Sequence, residues 1–333
     1  MERFNNKTNQ YEKIRETIII DPETYSLDEC ADDNGVGHLF LPGVGIRHNL
    51  EMSDYCVNKG DIVPYHCHKY GYELFVMIKG SVCAIIGGKR TNAKPGDMIL
   101  IHPHLPHAFE YREDGTVWHE IVQDMALWES GKAMNRIIAN CPENFNDHGF
   151  MREYFSHEGR QDYLGYPFLD AAEAAPGEVT GFSGKEMSYK KYNLPGMECR
   201  IKYPRWQLGG LKEIWEFVLD KGVTATWDKP YFSRELMVVR EGSVEVEVQG
   251  YGAMTAKPED IISIPDYTEH RITALEQGTT LQDFNVQFDM FLMLDEIDLY
   301  RRNDPDRVDE DYIRETFKKY ECPLTEIGGL IKI

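Results

Sequence analysis

The chain has 333 residues, of which 42% are hydrophobic and 12% aromatic, enough apolar material for one large domain or two ordinary ones. Its 36 basic and 56 acidic residues leave a net charge of −20, which argues against nucleic acid and anionic membranes as partners. No stretch approaches the roughly 18 apolar residues of a membrane-spanning helix, the N-terminus lacks an apolar signal core, and the seven cysteines include no CxxC pair; a soluble cytoplasmic protein without a disulfide framework is expected.

The first informative stretch runs from Gly60 to Gly80 and contains His66-Cys67-His68 and, five residues on, Glu73. In an extended strand successive side chains point to opposite faces, so His66 and His68 share one face while Cys67 points away. Residues 72–87 read as two apolar strands joined at Lys79-Gly80, with Cys67 and Cys83 as small packing residues. A second stretch, Gly96-Asp97 through His102, His104 and His107, brings a third imidazole. Three imidazole nitrogens and one carboxylate suit a divalent transition metal (Mn, Fe, Zn, Ni or Co) better than Ca or Mg, which prefer all-oxygen shells.

Residues 125–160 look helical, with Trp128, Met134, Ile137 and Ile138 at three-to-four spacing, and the pattern ends near Cys141-Pro142. Residues 161–200 are rich in Gly, Pro and Tyr and read as a long connection. Residues 235–249 again read as two strands, Val244 to Val248 alternating as a half-exposed strand does. The tail, 292–320, fits a pair of helices around Ile297, Tyr300, Tyr312 and Phe317.

The two strand-rich regions repeat each other. Lys59-Gly60 recurs as Lys221-Gly222, Glu73-Leu74 as Glu235-Leu236 and Gly80-Ser81-Val82 as Gly242-Ser243-Val244, each at an offset of 162. After one inserted residue Asp97 matches Asp260 and His107 matches His270, an offset of 163. In the second copy His66 becomes Asp228 and His68 becomes Pro230, which offers no ligand atom. That copy keeps at most Asp228, Glu235 and His270, so one working metal per chain is expected.

With Gly60, Gly80, Gly96 and Asp97 around them, these histidines and the glutamate resemble the two signature motifs of the cupin superfamily. The resemblance implies an all-β fold of two cupin (double-stranded β-helix, jelly-roll) barrels with a helical linker and C-terminal helices. It divides the chain into a metal-bearing barrel at 1–124, a linker at 125–204, a degenerate barrel at 205–290 and a tail at 291–333. It also implies the ligand set His66, His68, Glu73 and His107, and pairing into a homodimer. The chain departs from the family pattern where His102 and His104 stand for the turn's usual Pro and Gly, and where Tyr111 follows the last ligand in place of Asn.

Cupins run many chemistries, so the reaction has to be argued from the site. The expected activity is that of a metal-dependent enzyme on a small, oxygen-rich cyclic substrate. In length and acidity the chain is similar to the Mn-dependent cyclohydrolases that open dihydrophloroglucinol, which implies hydrolytic C–C ring opening of a cyclic 1,3-diketone by metal-activated water. An iron-dependent ring-cleaving dioxygenase of the flavonol or gentisate kind is the main alternative, although Glu73 counts against the three-histidine gentisate type. A sugar-acid isomerase or decarboxylase and a metal-binding sensor module are further alternatives. Candidate proton-handling residues are His104, Tyr70 and Tyr72 beside the ligand runs, and His119. Alternation lets only one of His119 and Glu120 point inward. His102 is expected to be structural, and Arg234 to sit in a surface salt bridge.

Overall fold

The computed structural model describes residues 2–5, 10–13, 17–32, 35–43, 50–68, 71–123, 127–145, 147, 149–150, 153, 164–165, 174–194, 196–225 and 234–320. Contacts divide the chain into two compact units, one of residues 25–188 and one of residues 1–24 together with 189–333. The fold is mostly β, with two cupin-like barrels and few helices.

In the first unit two sheets form the barrel walls. One orders Phe182–Ser183, Met98–Ile101, Tyr72–Lys79, Thr116–Gln123, Leu50–Val57, Gly35–Leu41 and Asp28–Asp32. The other orders Leu164–Gly165, Ile62–Cys67, His107–Tyr111, Val82–Ile86, Lys89–Ala93 and Ala175–Pro176. Chain neighbours are thus often not sheet neighbours, as a jelly roll requires. The strands Tyr72–Lys79 and Val82–Ile86 form because β-branched, aliphatic and aromatic residues are buried along both, and the corner between them needs glycine. Gly80 has a φ of 76°, and a Cβ there would lie 2.4 Å from Thr116 Oγ1.

Register fixes what faces the interior. Directly paired residues share a face, and Glu73 pairs with Val122, Phe75 with Glu120 and Met77 with Trp118. Phe75, Met77, Phe109, Tyr111 and Trp118 make one apolar core with Ile99 and Ile101. Phe75 meets Phe109 at a centroid distance of 4.6 Å, and Tyr111 stacks on Trp118 at 4.6 Å.

The second unit repeats the plan. One sheet orders Lys190–Leu194, Met197–Tyr203, Glu213–Leu219, Thr279–Val286, Glu235–Glu241, Ile261–Ile264 and Ile19–Ile20; the other orders Thr224–Ala225, His270–Ala274, Val244–Val248 and Gly252–Ala256. Gly242, with φ 73°, sits against Thr279 Oγ1 just as Gly80 sits against Thr116.

The structural repeat is longer than the sequence motifs suggest. Helices Leu127–Asn140 and Met290–Asn303 have 14 residues each and begin 290 − 127 = 163 apart. Each starts with a backbone N–H donated to a buried glutamate: Trp128 N to Glu51 Oε1 at 2.7 Å, and Phe291 N to Glu213 Oε2 at 3.0 Å. The same period links two short strands. Phe182–Ser183 pairs with the Met98 strand in the first unit, and Ile19–Ile20, 163 residues earlier, pairs with the Ile261 strand in the second. The segment that precedes each barrel therefore belongs to the compact unit of the other barrel.

These observations correct two expectations. Boundaries at 124, 204 and 290 do not follow the compact units, because residues up to Thr24 belong with the second barrel and residues up to Ser188 with the first. Residues 161–200 are more than a connection: they contain Lys190–Leu194 and the start of Met197–Tyr203, whose Met197, Cys199 and Ile201 alternate inward into the second core. Their period-two pattern was hidden by the surrounding Gly, Pro and Tyr. The tail does form two helices, Met290–Asn303 and Glu310–Lys319, held by buried Met293, Ile297, Ile313 and Phe317. No described helix is long and apolar enough to cross a membrane. Cys67, Cys83 and Cys199 are buried and stand outside any disulfide.

Candidate metal centre

Three strands of the first barrel deliver the cluster. His66 pairs directly with His107, and the alternation predicted for the HxH run brings His68 to the same place. The ring nitrogens of His66, His68 and His107 offer ligand atoms that all lie within 4.8 Å of one another. His66 Nε2 is 3.1 Å from His68 Nε2, Glu73 Oε1 is 2.8 Å from His68 Nε2, and Glu73 Oε2 is 3.2 Å from His107 Nε2. All four side chains are buried.

This donor set fits a cation. His107 Nδ1–H donates to the Leu105 carbonyl at 2.9 Å, which fixes the tautomer and leaves Nε2 as a lone-pair donor. Glu73 Oε2 and His107 Nε2 face each other at 3.2 Å without the alignment of a hydrogen bond, so both remain unpartnered. Two buried, unpartnered polar atoms at the focus of such a cluster would be satisfied by a positive charge there. Burial alone would raise the Glu73 carboxyl, but the neighbouring imidazoles of His68 and His107 outweigh it and hold it well below the usual carboxylate range.

Among the proton-handling candidates, none of those described joins the cluster. His104 is exposed, with φ 62° in the left-handed region where the family pattern has glycine. Its backbone N–H donates to the His68 carbonyl at 2.6 Å, so the turn buttresses His68 through its main chain. Tyr72 is half-buried beside Glu73 on its strand, and therefore on the opposite face, with its ring edge-on to His102 at 5.6 Å. Burial lowers the His102 pKa, in keeping with a packing role. Tyr70 lies outside the described residues. Arg234, expected in a surface salt bridge, is half-buried and donates to Ser263 Oγ at 2.7 Å.

His119 is replaced by its neighbour. It pairs with Val76 and Asp54 on the face away from Glu73 and is buried edge-on to Phe40. Glu120 points inward instead, paired with Phe75 and Ser53. Burial, then the negative charges of Glu73 and Glu51, push its carboxyl well above the usual range. Two signals in the sequence point to Glu120: it keeps step with Trp118 and Val122, and its counterpart in the repeat, Asp283, is also acidic.

The second barrel keeps part of the constellation. Glu235 Oε2 lies 3.0 Å from His270 Nε2, and both are buried. Burial opposes a charge on His270, yet Glu235 beside it raises the imidazolium above its ordinary range. Asp283 occupies the place of Glu120, and burial and then Glu235 push its carboxyl well up. Asp228 and Pro230, the counterparts of His66 and His68, lie outside the described residues.

Comparison with known proteins bears on the fold around this cluster. Residues 53–120 match the family described as the cupin domain. The fold is similar to Lactobacillus farciminis oxalate decarboxylase in its formate complex, at 14% identity and TM-score 0.53 over 83% of this chain and 88% of that one. It is also similar to a single-residue variant of Bacillus subtilis oxalate decarboxylase, at 15% identity and TM-score 0.52 over 97% and 90%. No curated protein matches the chain in sequence. Residues 53–120 are thus a cupin domain, set in a chain with the two-barrel fold of the bicupin oxalate decarboxylases.

Proposed function

We propose that His66, His68, Glu73 and His107 hold one divalent transition metal and that the chain is a metal-dependent cupin enzyme acting on a small, oxygen-rich ring. The observation that carries this reading is the convergence of three imidazoles and one carboxylate, two of whose facing atoms lack any hydrogen bond. When bound, the metal supplies Lewis acidity that polarises a carbonyl and lowers the pKa of a water.

The protein's own residues do the rest. Glu73, whose Oε1 lies 2.8 Å from His68 Nε2, would share the cation with that ring and balance part of its charge. The Leu105 carbonyl fixes the ring of His107, and the His104 turn holds the main chain of His68. Phe75 and Phe109, packed in the core on the same inward face, would offer a bound ring an apolar neighbour. With these parts, hydrolytic C–C opening of a cyclic 1,3-diketone is the reading we favour, and Mn or Fe the favoured metals. The same donors also suit an iron-dependent ring-cleaving dioxygenase, and oxalate decarboxylases share the fold.

Metal analysis of the purified protein followed by strictly anaerobic assay separates these readings. Ring-opened acid formed from a cyclic 1,3-diketone without dioxygen supports the hydrolase. Dependence on iron and dioxygen identifies the dioxygenase, and release of formate from oxalate identifies the decarboxylase.

A further inference from the structure

Glu120 has no task in the reading above, yet it is an acidic group turned into the interior one layer below Glu73. Only 5% of it is exposed. Its cross-strand partners are Ser53 and Phe75, and the Phe75 ring continues into Phe109 at 4.6 Å. Around Glu73 and Glu120 the strands Leu50–Val57, Tyr72–Lys79, His107–Tyr111 and Thr116–Gln123 turn carboxylates, a serine, aromatics and a valine inward. Among the described residues they contribute no lysine or arginine there.

The second barrel makes this composition informative. Asp283, the counterpart of Glu120, feels the positive charge of Lys212, which is buried. At the offset of 162 the first barrel has Leu50 in place of Lys212. Among the described residues, the interior beside the metal centre thus carries carboxyl groups without a side-chain cation to balance a second anionic group.

We propose that Glu120 is the specificity-determining residue of this site, hydrogen-bonding a ring oxygen of the substrate, so that the site takes a compact oxygen-bearing ring and rejects a dicarboxylate such as oxalate. The inference rests on the metal-centre reading of His66, His68, Glu73 and His107. A carboxyl that keeps its proton in these surroundings donates to a carbonyl or enolate oxygen; one that loses it accepts from a ring hydroxyl. Either state suits a ring that spreads at most one negative charge over its oxygens. Neither compensates a dianion held near Glu73 and Glu51.

The test is calorimetric titration of the metal-loaded full chain with 1,3-cyclohexanedione and, separately, with oxalate, metal content being measured on the same samples. The wild type is expected to bind the dione at least about tenfold more tightly than oxalate. Glu120→Leu is expected to weaken the dione on the order of tenfold, the worth of one buried hydrogen bond. Glu120→Gln, whose amide still donates, stays within about threefold, and oxalate binding is not weakened by either change. Equal or tighter binding of oxalate by the wild type overturns the proposal, as does binding of neither ligand by fully loaded protein. Unchanged dione affinity in Glu120→Leu also overturns it. The wild-type comparison decides even where Glu120→Leu does not fold. Absence of metal from the wild type instead defeats the metal-centre reading itself, so the two failures are told apart.

Discussion

The two barrels share a scaffold and differ in what they hold. Both cap a turn with an aspartate, Asp97 Oδ2 accepting from Lys94 N at 3.0 Å and Asp260 Oδ2 from Lys257 N at 2.9 Å. Both close a strand corner with a left-handed glycine against a threonine, and both anchor a following helix on a buried glutamate. At the centre they part. The first presents three imidazoles around Glu73; the second answers Glu235 with His270 and has Lys212 where the first has Leu50. Scaffold and chemistry are thus separable: the residues that set turns and helix starts persist in the barrel whose HxH pair has gone.

The largest expected effect is the asymmetry of metal binding. His66→Ala or Glu73→Ala should remove bound metal and lower turnover by more than about a hundredfold, since ligand loss exceeds the effect of losing an outer-shell partner. Glu235→Ala should leave metal content unchanged, and a drop there would show that the second barrel still binds.

The helix anchors offer a sharper contrast. Burial pushes the Glu213 carboxyl up to about 7, from an ordinary 4.5. A folded-state pKa above the unfolded one means that the native state binds the extra proton between these values. Stability from this group is therefore full below about 4.5, falls as pH rises, and levels off above about 7, by up to roughly 3 kcal/mol. Urea unfolding across this range should show Glu213→Gln flattening the decline; an unchanged slope would remove Glu213 as its source.

The corner glycines should behave alike, because their surroundings do. Gly80→Ala and Gly242→Ala each force a Cβ to within 2.4 and 2.5 Å of a threonine Oγ1 at positive φ. Each should cost about 2 kcal/mol or more in chemical denaturation. A large difference between the two would break the scaffold equivalence. The smallest effect is expected at His104. Replacing it with Gly relieves a left-handed non-glycine residue and loosens the unfolded chain by a similar amount, so stability should stay within about 1 kcal/mol. Turnover should be retained, and its loss would restore His104 as a catalytic candidate.

Much of this was legible before the structure. The convergence of His66 and His68 was legible because strand alternation is a local rule: the two need only an extended backbone to share a face. The repeat worked because Lys-Gly, Glu-Leu and Gly-Ser-Val stand where turns and ladders demand them. Strand partnership was less accessible. Two-residue strands such as Ile19–Ile20 carry no periodicity of their own, and only pairing with Ile261 and Ile262 shows where they belong. The choice between His119 and Glu120 failed for a related reason. Alternation gives two faces without saying which is inside, and the register shift between Val117 and Trp118 removes an outside reference. Tyr72 illustrates the same limit, standing next to Glu73 in sequence and on the opposite face in space.

The central claim, one armed barrel and one stripped of its HxH pair, is tested most directly by elemental analysis of the purified chain beside His66→Ala and Glu235→Ala. The account expects about one transition metal per chain in the wild type, none in His66→Ala and an unchanged value in Glu235→Ala. Metal retained in His66→Ala, or lost in Glu235→Ala, would contradict it.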